Sequence, residues 1–395
     1  MEKVGSRKIL IFSLVYYPRF VAGAEIAIKE ISDRIDRSDI EFSMVTLRLD
    51  SRLPRYEKIG NVHVHRVGWS KEFESKIPWY INLNKYAFLL TGLWKALSLE
   101  KKQKFDGIWS MMASYNSFTA LFFKILHPRI PFLLTLQEGD PIPYIKRRAL
   151  PLYPLFKMIF TRAQHIQTIS VYLKEFAQSM KATCPISVVP NAVDWNLFST
   201  RLPEEKLQAL KDSLGKKTGD VFVITTSRLV EKNSIGDVIE ALTYLPSNIK
   251  FIILGQGEQE TYLKQRVEDF KLGDRVKFLG YIAHKDMSQY LHISDIFVRP
   301  SLSEGFGSSF VEAMAAGLPV IATPVGGIID FIRDGETGLF CEPKNPRSIA
   351  QKIEKLVCDP ESREYIVRMS RTMVQEKYEW GIISERMRAI LSDLH

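Results

Sequence analysis

Two glutamates, Glu304 and Glu312, stand eight residues apart in the stretch "SEGFGSSFVEAMAAG", Ser303 to Gly317. The apolar run "IFVRPS" ahead of them reads as a strand, Gly305 and Gly307 allow a tight turn, and Ser308 or Ser309 suits the N-cap of the helix that follows. Gly317 and Pro319 are the stop signals of that helix. A short helix opening on such a loop presents unpaired N–H groups and the positive end of a dipole, which suits a phosphate. Glu312, about one turn into the helix, can accept bonds from a ribose diol. Glu304, ahead of the loop, can engage a group joined to the phosphate. The two carboxylates would then bracket a nucleotide-diphospho-sugar. The plainer reading of the same pattern is two surface glutamates beside an ordinary helix.

Positioning such residues is the work of alternating strands and crossover helices. In the first half the strands read "KILIFSLV", "FSMVTLRL", "VHVHRVG", "GIWSMM", "FLLTLQ" and "HIQTIS", with helical patterns such as "GAEIAIKEISDRI" and "NSFTALFFKIL" between them. A seam follows at "VVPNAVDWNLF", where Pro190, Asn191 and Trp195 interrupt the periodicity. A second series begins beyond it: "VFVITTSRL", "KFIILG", "VKFLG", "IFVRPS", "PVIAT" and "GLFCE". The pattern predicts an α/β protein with two parallel-sheet, Rossmann-like domains facing a central cleft. A last helical pattern, about Arg363 to Leu394, is long enough to reach back across the seam. The expected organisation is residues 1–200 for the acceptor-binding domain, 201–375 for the nucleotide-sugar-binding domain, and 376–395 for a C-terminal helix crossing back onto the first domain.

Composition sets outer bounds. The 395 residues exceed what one hydrophobic core usually serves. The three cysteines, Cys184, Cys341 and Cys358, form no CxxC pair and no zinc spacing with histidine, so they read as buried packing residues of a reduced compartment. The opening stretch "MEKVGSRKILIFSLVYYPRF" reads as a buried first strand and not as a signal peptide, and no run reaches bilayer-spanning length. The net charge of +9 is uneven: residues 1–200 hold 28 Lys and Arg against 17 Asp and Glu, while residues 201–395 hold 26 against 28. The basic half suggests an anionic partner such as a lipid surface, a lipid diphosphate or an acidic polymer. The bland alternative is a surface kept basic for solubility. No nucleic-acid reader motif is present.

Several motifs in fixed order make the chain resemble a family 4 retaining glycosyltransferase with the GT-B fold, over nearly its whole length. "EGFGSSFVE" matches that family's E-x7-E element and "AMAAGLPVIATPVGGIIDFIRDGETGLF" the segment after it. "AGAE" at 22–25, "VVPNAVDWNLF" at 189–198, "SRLVEK" at 227–232 and "LGQGE" at 254–258 match as well.

The resemblance implies a role for each site residue. Arg228, after the strand "VFVITTSR", and Lys232 would hold the donor diphosphate, and with a helix N-terminus they can stabilise its departure without a metal. Glu304, Gly305, Phe306, Gly307, Ser308, Ser309 and Glu312 would form the donor loop. Gly23 would let backbone approach the phosphate from the first domain, and Gly255 and Gly257 would keep a strand end flat beneath the base or ribose. No Asp-x-Asp occurs and the seven histidines are scattered, so no catalytic metal and no cofactor beyond the donor substrate are expected.

Two departures matter. The strand "LLTLQEGDP", which in the family usually ends in histidine near the reacting sugar, carries Gln137 and then Glu138. Glutamine can donate a hydrogen bond but cannot take up a proton near neutral pH, so Gln137 reads as a positioning residue. The basic residue that commonly lies five positions after the arginine is replaced by Asn233. The expected reaction is front-face transfer of a sugar to a hydroxyl of a glycan or lipid-linked acceptor. The rival is a nucleotide-sugar-binding GT-B protein without turnover. Residues 142–164, "IPYIKRRALPLYPLFKMIFTRAQ", mix basic and aromatic side chains, which suits either an amphipathic helix of the acceptor domain or an interfacial segment. The expected location is cytoplasmic, or peripheral on the inner face of the plasma membrane.

Overall fold

The computed structural model describes residues 6–19, 21–71 and 80–395, so residues 1–5 and Phe20 of the opening stretch lie outside the described residues. The chain divides into two compact units, Met1–Asn191 with Trp380–His395, and Ala192–Glu379. The division falls inside "VVPNAVDWNLF".

The first unit is built on an eight-stranded sheet. Its strands are β1 (Arg7–Phe12), β2 (Ile40–Leu47), β3 (Tyr56–Ile59), β4 (Val62–Val67), β5 (Gly107–Met111), β6 (Phe132–Leu136), β7 (His165–Thr168) and β8 (Ile186–Val188). They run in the order β3-β4-β2-β1-β5-β6-β7-β8, parallel except for the β3–β4 hairpin. Every residue of β5 and β6 is buried, as a parallel sheet covered on both faces requires. The strand order reverses between β1 and β5, and buried Asn116 pins that point: its Nδ2 donates to the carbonyls of Phe12 (2.9 Å) and Met111 (2.8 Å), the last residues of the two strands. This joins the helix Tyr115–Leu126 to the strand ends with about 1 kcal/mol per bond.

The second unit holds β9 (Val221–Thr226), β10 (Ile249–Leu254), β11 (Val276–Gly280), β12 (Ile296–Arg299), β13 (Val320–Ala322) and β14 (Leu339–Phe340). Their order, β11-β10-β9-β12-β13-β14, is the doubly wound Rossmann arrangement with its reversal between β9 and β12. Ligands of such sheets sit beyond the C-terminal strand ends at that reversal. Ser227 and Arg228 follow β9 there, and Pro300 to Glu304 follow β12. Beneath them one apolar core gathers Val223, Phe251, Ile253, Val298, Ile321 and Ile353.

Each strand named from the sequence is present, and β3 and β8 are additional: β3 is short and half-polar, β8 only three residues long. The C-terminal pattern is two helices, Pro360–Lys377 and Trp380–Ser392, rather than one. The chain passes from the second unit to the first between them, and the Tyr378 carbonyl there accepts from the Val193 N–H (2.8 Å). The last helix packs against the helix Gly23–Arg34 of the first unit, and Arg7 of β1 bonds the carbonyls of Ser392 and Leu394. The segment 142–164 is a helix (Ile142–Ala149), one 3-10 turn (Leu150–Leu152) and a second helix (Tyr153–Thr161). Of the cysteines only Cys341 is buried; Cys184 is half-buried and Cys358 exposed, so packing explains one thiol of the three.

Candidate donor site

In the second unit, the loop after β12 carries Glu304, and its position is set by a side chain the sequence reading passed over. Arg299 ends β12 with only 6% of its surface exposed. Its Nη2 pairs with Glu304 Oε2 at 2.7 Å, and its Nη1 donates to Ser309 Oγ at 2.6 Å. The guanidinium lies 4.6 Å from the Phe310 ring centroid, and its Nε has no protein partner. Burial pulls the Arg299 guanidinium below its ordinary pKa; the carboxylates of Glu304 and Glu312 oppose that, and the charge of Arg228 adds to it. The other carboxylate oxygen of Glu304 accepts from the Gly305 N–H at 3.1 Å. The carbonyl of Glu304 accepts from the Gly327 N–H (3.1 Å), and a Cβ on Gly326 would sit 1.9 Å from that same oxygen. The "PVGG" turn thus braces the backbone of Glu304 from the far side, and only glycine fits at 326, where φ is +54°.

The helix spans Ser308–Ala315, and its N-cap is Gly307 at φ +97°, not Ser308 or Ser309 as the sequence suggested. Serine capping is displaced because Ser309 Oγ is taken by Arg299, and no side chain caps the helix. A Cβ on Gly307 would meet the Phe310 ring at 2.7 Å and Arg299 Nη2 at 3.2 Å, so the loop lies directly on the guanidinium. Uncapped N–H groups at this turn suit an anion. Phe306 turns its ring into the core, 5.1 Å from Phe331 and 5.6 Å from Tyr378, which leaves its main chain as the part able to reach a donor. Glu312 is buried on the same helix, and its Oε1 lies 2.9 Å from His284 Nε2. His284 in turn packs edge-on against buried Phe198 (5.3 Å), whose carbonyl takes His292 Nε2 at 2.8 Å. The family-type motif ending at Phe198 therefore acts through His284 on the carboxylate of Glu312. A carboxylate has about four acceptor positions, so the bond from His284 leaves room for ligand hydroxyls.

Arg228 is exposed beyond β9, and its carbonyl accepts from Asn233 Nδ2 at 2.7 Å. The asparagine in place of a basic residue is thus a buried strut of the Arg228 turn. Half-buried Lys232 offers its carbonyl to the Leu302 N–H at 2.6 Å, which ties the turns after β9 and β12 together. Gly255 and Gly257 are demanded by the same turn. A Cβ on Gly255, where φ is +141°, would fall 1.8 Å from the Ser227 carbonyl oxygen, and one on Gly257 would fall 2.2 Å from that of Leu229. The "LGQGE" loop runs backbone against backbone along residues 227–229.

In the first unit, Gln137 Nε2 donates to Asn191 Oδ1 (3.1 Å) and Asn191 Nδ2 donates to Gln137 Oε1 (3.3 Å), a reciprocal amide pair. Gly23 opens the helix Gly23–Arg34, and a Cβ placed there would lie 3.8 Å from Asn191 Nδ2, an ordinary contact; nothing in the packing or the dihedrals demands glycine. Glu138 is buried behind Gln137, with Oε1 accepting from the Ala113 N–H at 2.5 Å and Oε2 lacking a protein partner. Burial pushes its pKa up to about 7. Gly23 and Gln137 thus come together in one unit, and Arg228, Lys232, the two "LGQGE" glycines and the 304–312 element come together in the other. Arg299, His284, Gly326 and Asn191 were missed, although Asn191 and Gly326 lie inside quoted motifs.

Residues 208–373 match the family described as Glycosyl transferases group 1, and residues 21–196 match Glycosyltransferase Family 4. The 2-deoxystreptamine N-acetyl-D-glucosaminyltransferase of Niallia circulans is 31% identical over 382 residues, which cover 91% of this chain and 94% of that one. Sucrose-phosphate synthase from Thermosynechococcus elongatus shares the fold with a TM-score of 0.85 at 19% identity, over 98% of this chain and 99% of that one. Anabaena HepE, solved in complex with UDP-glucose, does so with a TM-score of 0.78 at 20% identity, over 98% and 100%.

Proposed function

The chain belongs to glycosyltransferase family 4 and has the GT-B fold, and on that footing we propose that it moves a sugar from a nucleotide-diphospho-sugar to a hydroxyl of a glycan or lipid-linked acceptor, with retention at the anomeric carbon and without a metal. The observation that carries the reading is the charge-compensated Glu304, held at the strand reversal between β9 and β12 with exposed Arg228 on the neighbouring strand end and an uncapped helix after the loop.

Arg228, Lys232 and the first turn of the 308–315 helix would receive the diphosphate and stabilise the charge that grows on it as the sugar–phosphate bond lengthens. Preorganised cations act here without reorganisation cost, and removing one such contact typically costs about 10²–10³ in rate. Glu312 would take the ribose hydroxyls. Glu304 would orient the sugar. Its ion pair with Arg299 and its bond from Gly305 disperse the charge of the carboxylate, which makes it a poor nucleophile, and leave about two of its four acceptor positions for sugar hydroxyls. Retaining glycosidases that form a glycosyl-enzyme need two carboxyls about 5 Å apart on the sugar, and here the second is assigned to the ribose. Front-face displacement follows: the acceptor oxygen enters on the side the diphosphate leaves, bonds to the anomeric carbon as the carbon–oxygen bond to phosphate breaks, and passes its proton to the departing phosphate oxygen. Gln137, paired with Asn191, would position the sugar and need not change protonation state.

Turnover, and not binding alone, is supported by the way both departures are absorbed: Asn233 braces the Arg228 turn and Gln137 is locked by Asn191. The test is calorimetric titration with a panel of nucleoside diphosphates and nucleotide sugars in EDTA, UDP-glucose first because the HepE fold neighbour was solved with it. Turnover and product anomer would then be followed by NMR. Binding of one nucleotide sugar, weakened in Arg228→Ala and Glu304→Ala, is expected; no binding by folded protein rejects the donor site, and an inverted product rejects the front-face path.

A further inference from the structure

The first unit carries an apolar stripe that its own core does not use. The helix Tyr80–Lys102 packs on the helix Tyr115–Leu126 and on β2, burying Phe88, Ala96 and Leu99. On its other side Leu83, Tyr86, Leu90 and Trp94 recur at helical spacing, and each is at least half exposed, Leu90 and Trp94 at 72%. Four lysines of this helix face a single glutamate, Glu100, which is buried and accepts from the Phe105 N–H at 3.0 Å. The stripe continues into the basic helix Ile142–Ala149. The Tyr86 ring meets Tyr115 edge-on at 5.2 Å, and Arg148 bonds the side chain of Tyr115. Beside Arg148 lies exposed Arg147, and Leu150 just beyond is 64% exposed.

We propose that this face docks on the surface of an anionic lipid bilayer, with Leu90 and Trp94 entering the headgroup–acyl boundary and the flanking lysines and arginines meeting lipid phosphates. Large apolar side chains in one stripe, basic residues at its borders and no exposed acidic residue on the described helices Tyr80–Lys102 and Ile142–Ala149 are what an interfacial helix requires. Among the described residues no helix is long and apolar enough to cross a membrane, so the contact would lie on the surface. A second copy of the chain fits less well. A two-fold interface sets the same patch against itself, which would bring the cationic borders of both copies together. An anionic surface neutralises them instead. The inference stands apart from the donor-site reading, because lipid binding can be measured without any sugar.

The test is flotation of the purified protein with vesicles of phosphatidylcholine alone or containing roughly one third phosphatidylglycerol. The wild type is expected to float with the anionic vesicles and about tenfold less with the neutral ones, and to lose binding as salt is raised to about 0.5 M. Leu90→Asp with Trp94→Asp, and separately Lys101→Glu with Arg147→Glu, should each lower partitioning on the order of tenfold. All four side chains are exposed, and an unchanged melting midpoint verifies the fold. No flotation of the wild type with anionic vesicles, or wild-type flotation of both double variants, overturns the proposal. So does a wild-type dimer in light scattering that the Leu90/Trp94 variant splits while vesicles capture neither.

Discussion

Arg299 pairs with Glu304 at 2.7 Å across the turn that joins β12 to the donor loop, and the carboxylate is oriented by the strand that delivers it. The same guanidinium reaches Ser309 on the next helix, so one buried cation links the glutamate of the loop to the first turn of the helix. Arg299→Met should therefore lower kcat/KM on the order of 10²-fold and destabilise by roughly 3 kcal/mol, since it leaves Glu304 without its partner. Arg299→Lys should restore only part, because one ammonium cannot hold both groups in the fork. Steady-state kinetics beside denaturant titration check this; wild-type turnover in Arg299→Met would show that Glu304 needs no such support.

The passage of the "LGQGE" loop along the Arg228 turn makes a second expectation. In Gly257→Ala the new methyl meets the carbonyl of Leu229 at 2.2 Å, backbone that cannot step aside cheaply. The variant should lose about 3 kcal/mol or more of stability, and its surviving folded fraction should bind nucleotide weakly because the Arg228 turn has moved. Gly273→Ala, where no atom lies within 4 Å of the added carbon, is the control and should melt like the wild type. Similar melting of the two variants would contradict the close approach.

Glu138 sets a pH dependence. Burial holds its pKa at about 7, above the carboxylate's ordinary range. Between that range and about 7 the folded chain keeps a proton that the unfolded chain has released, so stability falls as pH rises through the window and levels off above it. The penalty above pH 7 is on the order of 3 kcal/mol at most. Glu138→Gln should remove that slope, so the difference between the two unfolding curves from acid to neutral pH isolates the group. Parallel curves would mean that folding does not change how Glu138 titrates.

Gln137 gives a kinetic expectation. Gln137→Ala breaks the amide pair and leaves Asn191 without its partner. One positioning bond is worth about 1 kcal/mol, so kcat should fall roughly fivefold while donor affinity, carried by the second unit, stays near the wild-type value. Gln137→Glu should behave alike at neutral pH. A large gain of activity in Gln137→His would instead mean that the glutamine had cost the enzyme a catalytic group.

Much of the architecture was legible beforehand because its signals are local. Alternation of apolar runs with amphipathic segments announced both parallel sheets, and the glycines and Pro319 marked the donor loop and the end of its helix. The hairpin strand β3 escaped because four half-exposed residues carry no clear period, and the break at Tyr378 and Glu379 because both flanking segments are helical. Serine capping failed because local propensity places a serine at the helix start but cannot know that Arg299 claims its hydroxyl.

The sequence by itself determined the two-unit α/β plan, the family, and the residue types at Glu304, Glu312 and Arg228. These follow from short-range periodicity and from motifs whose spacing is read along one strand–loop–helix. Only the tertiary structure decided who holds whom: His284 on Glu312 across 28 residues, Asn191 on Gln137 across 54, and Gly326 beneath the Glu304 carbonyl. The physical reason is the strand order. Parallel sheets gather at one end the loops after β6 and β8 in the first unit, and those after β11, β12 and β13 in the second, although these lie far apart along the chain. Partners across those loops are chosen by burial and hydrogen-bond satisfaction, which no window of neighbouring residues contains.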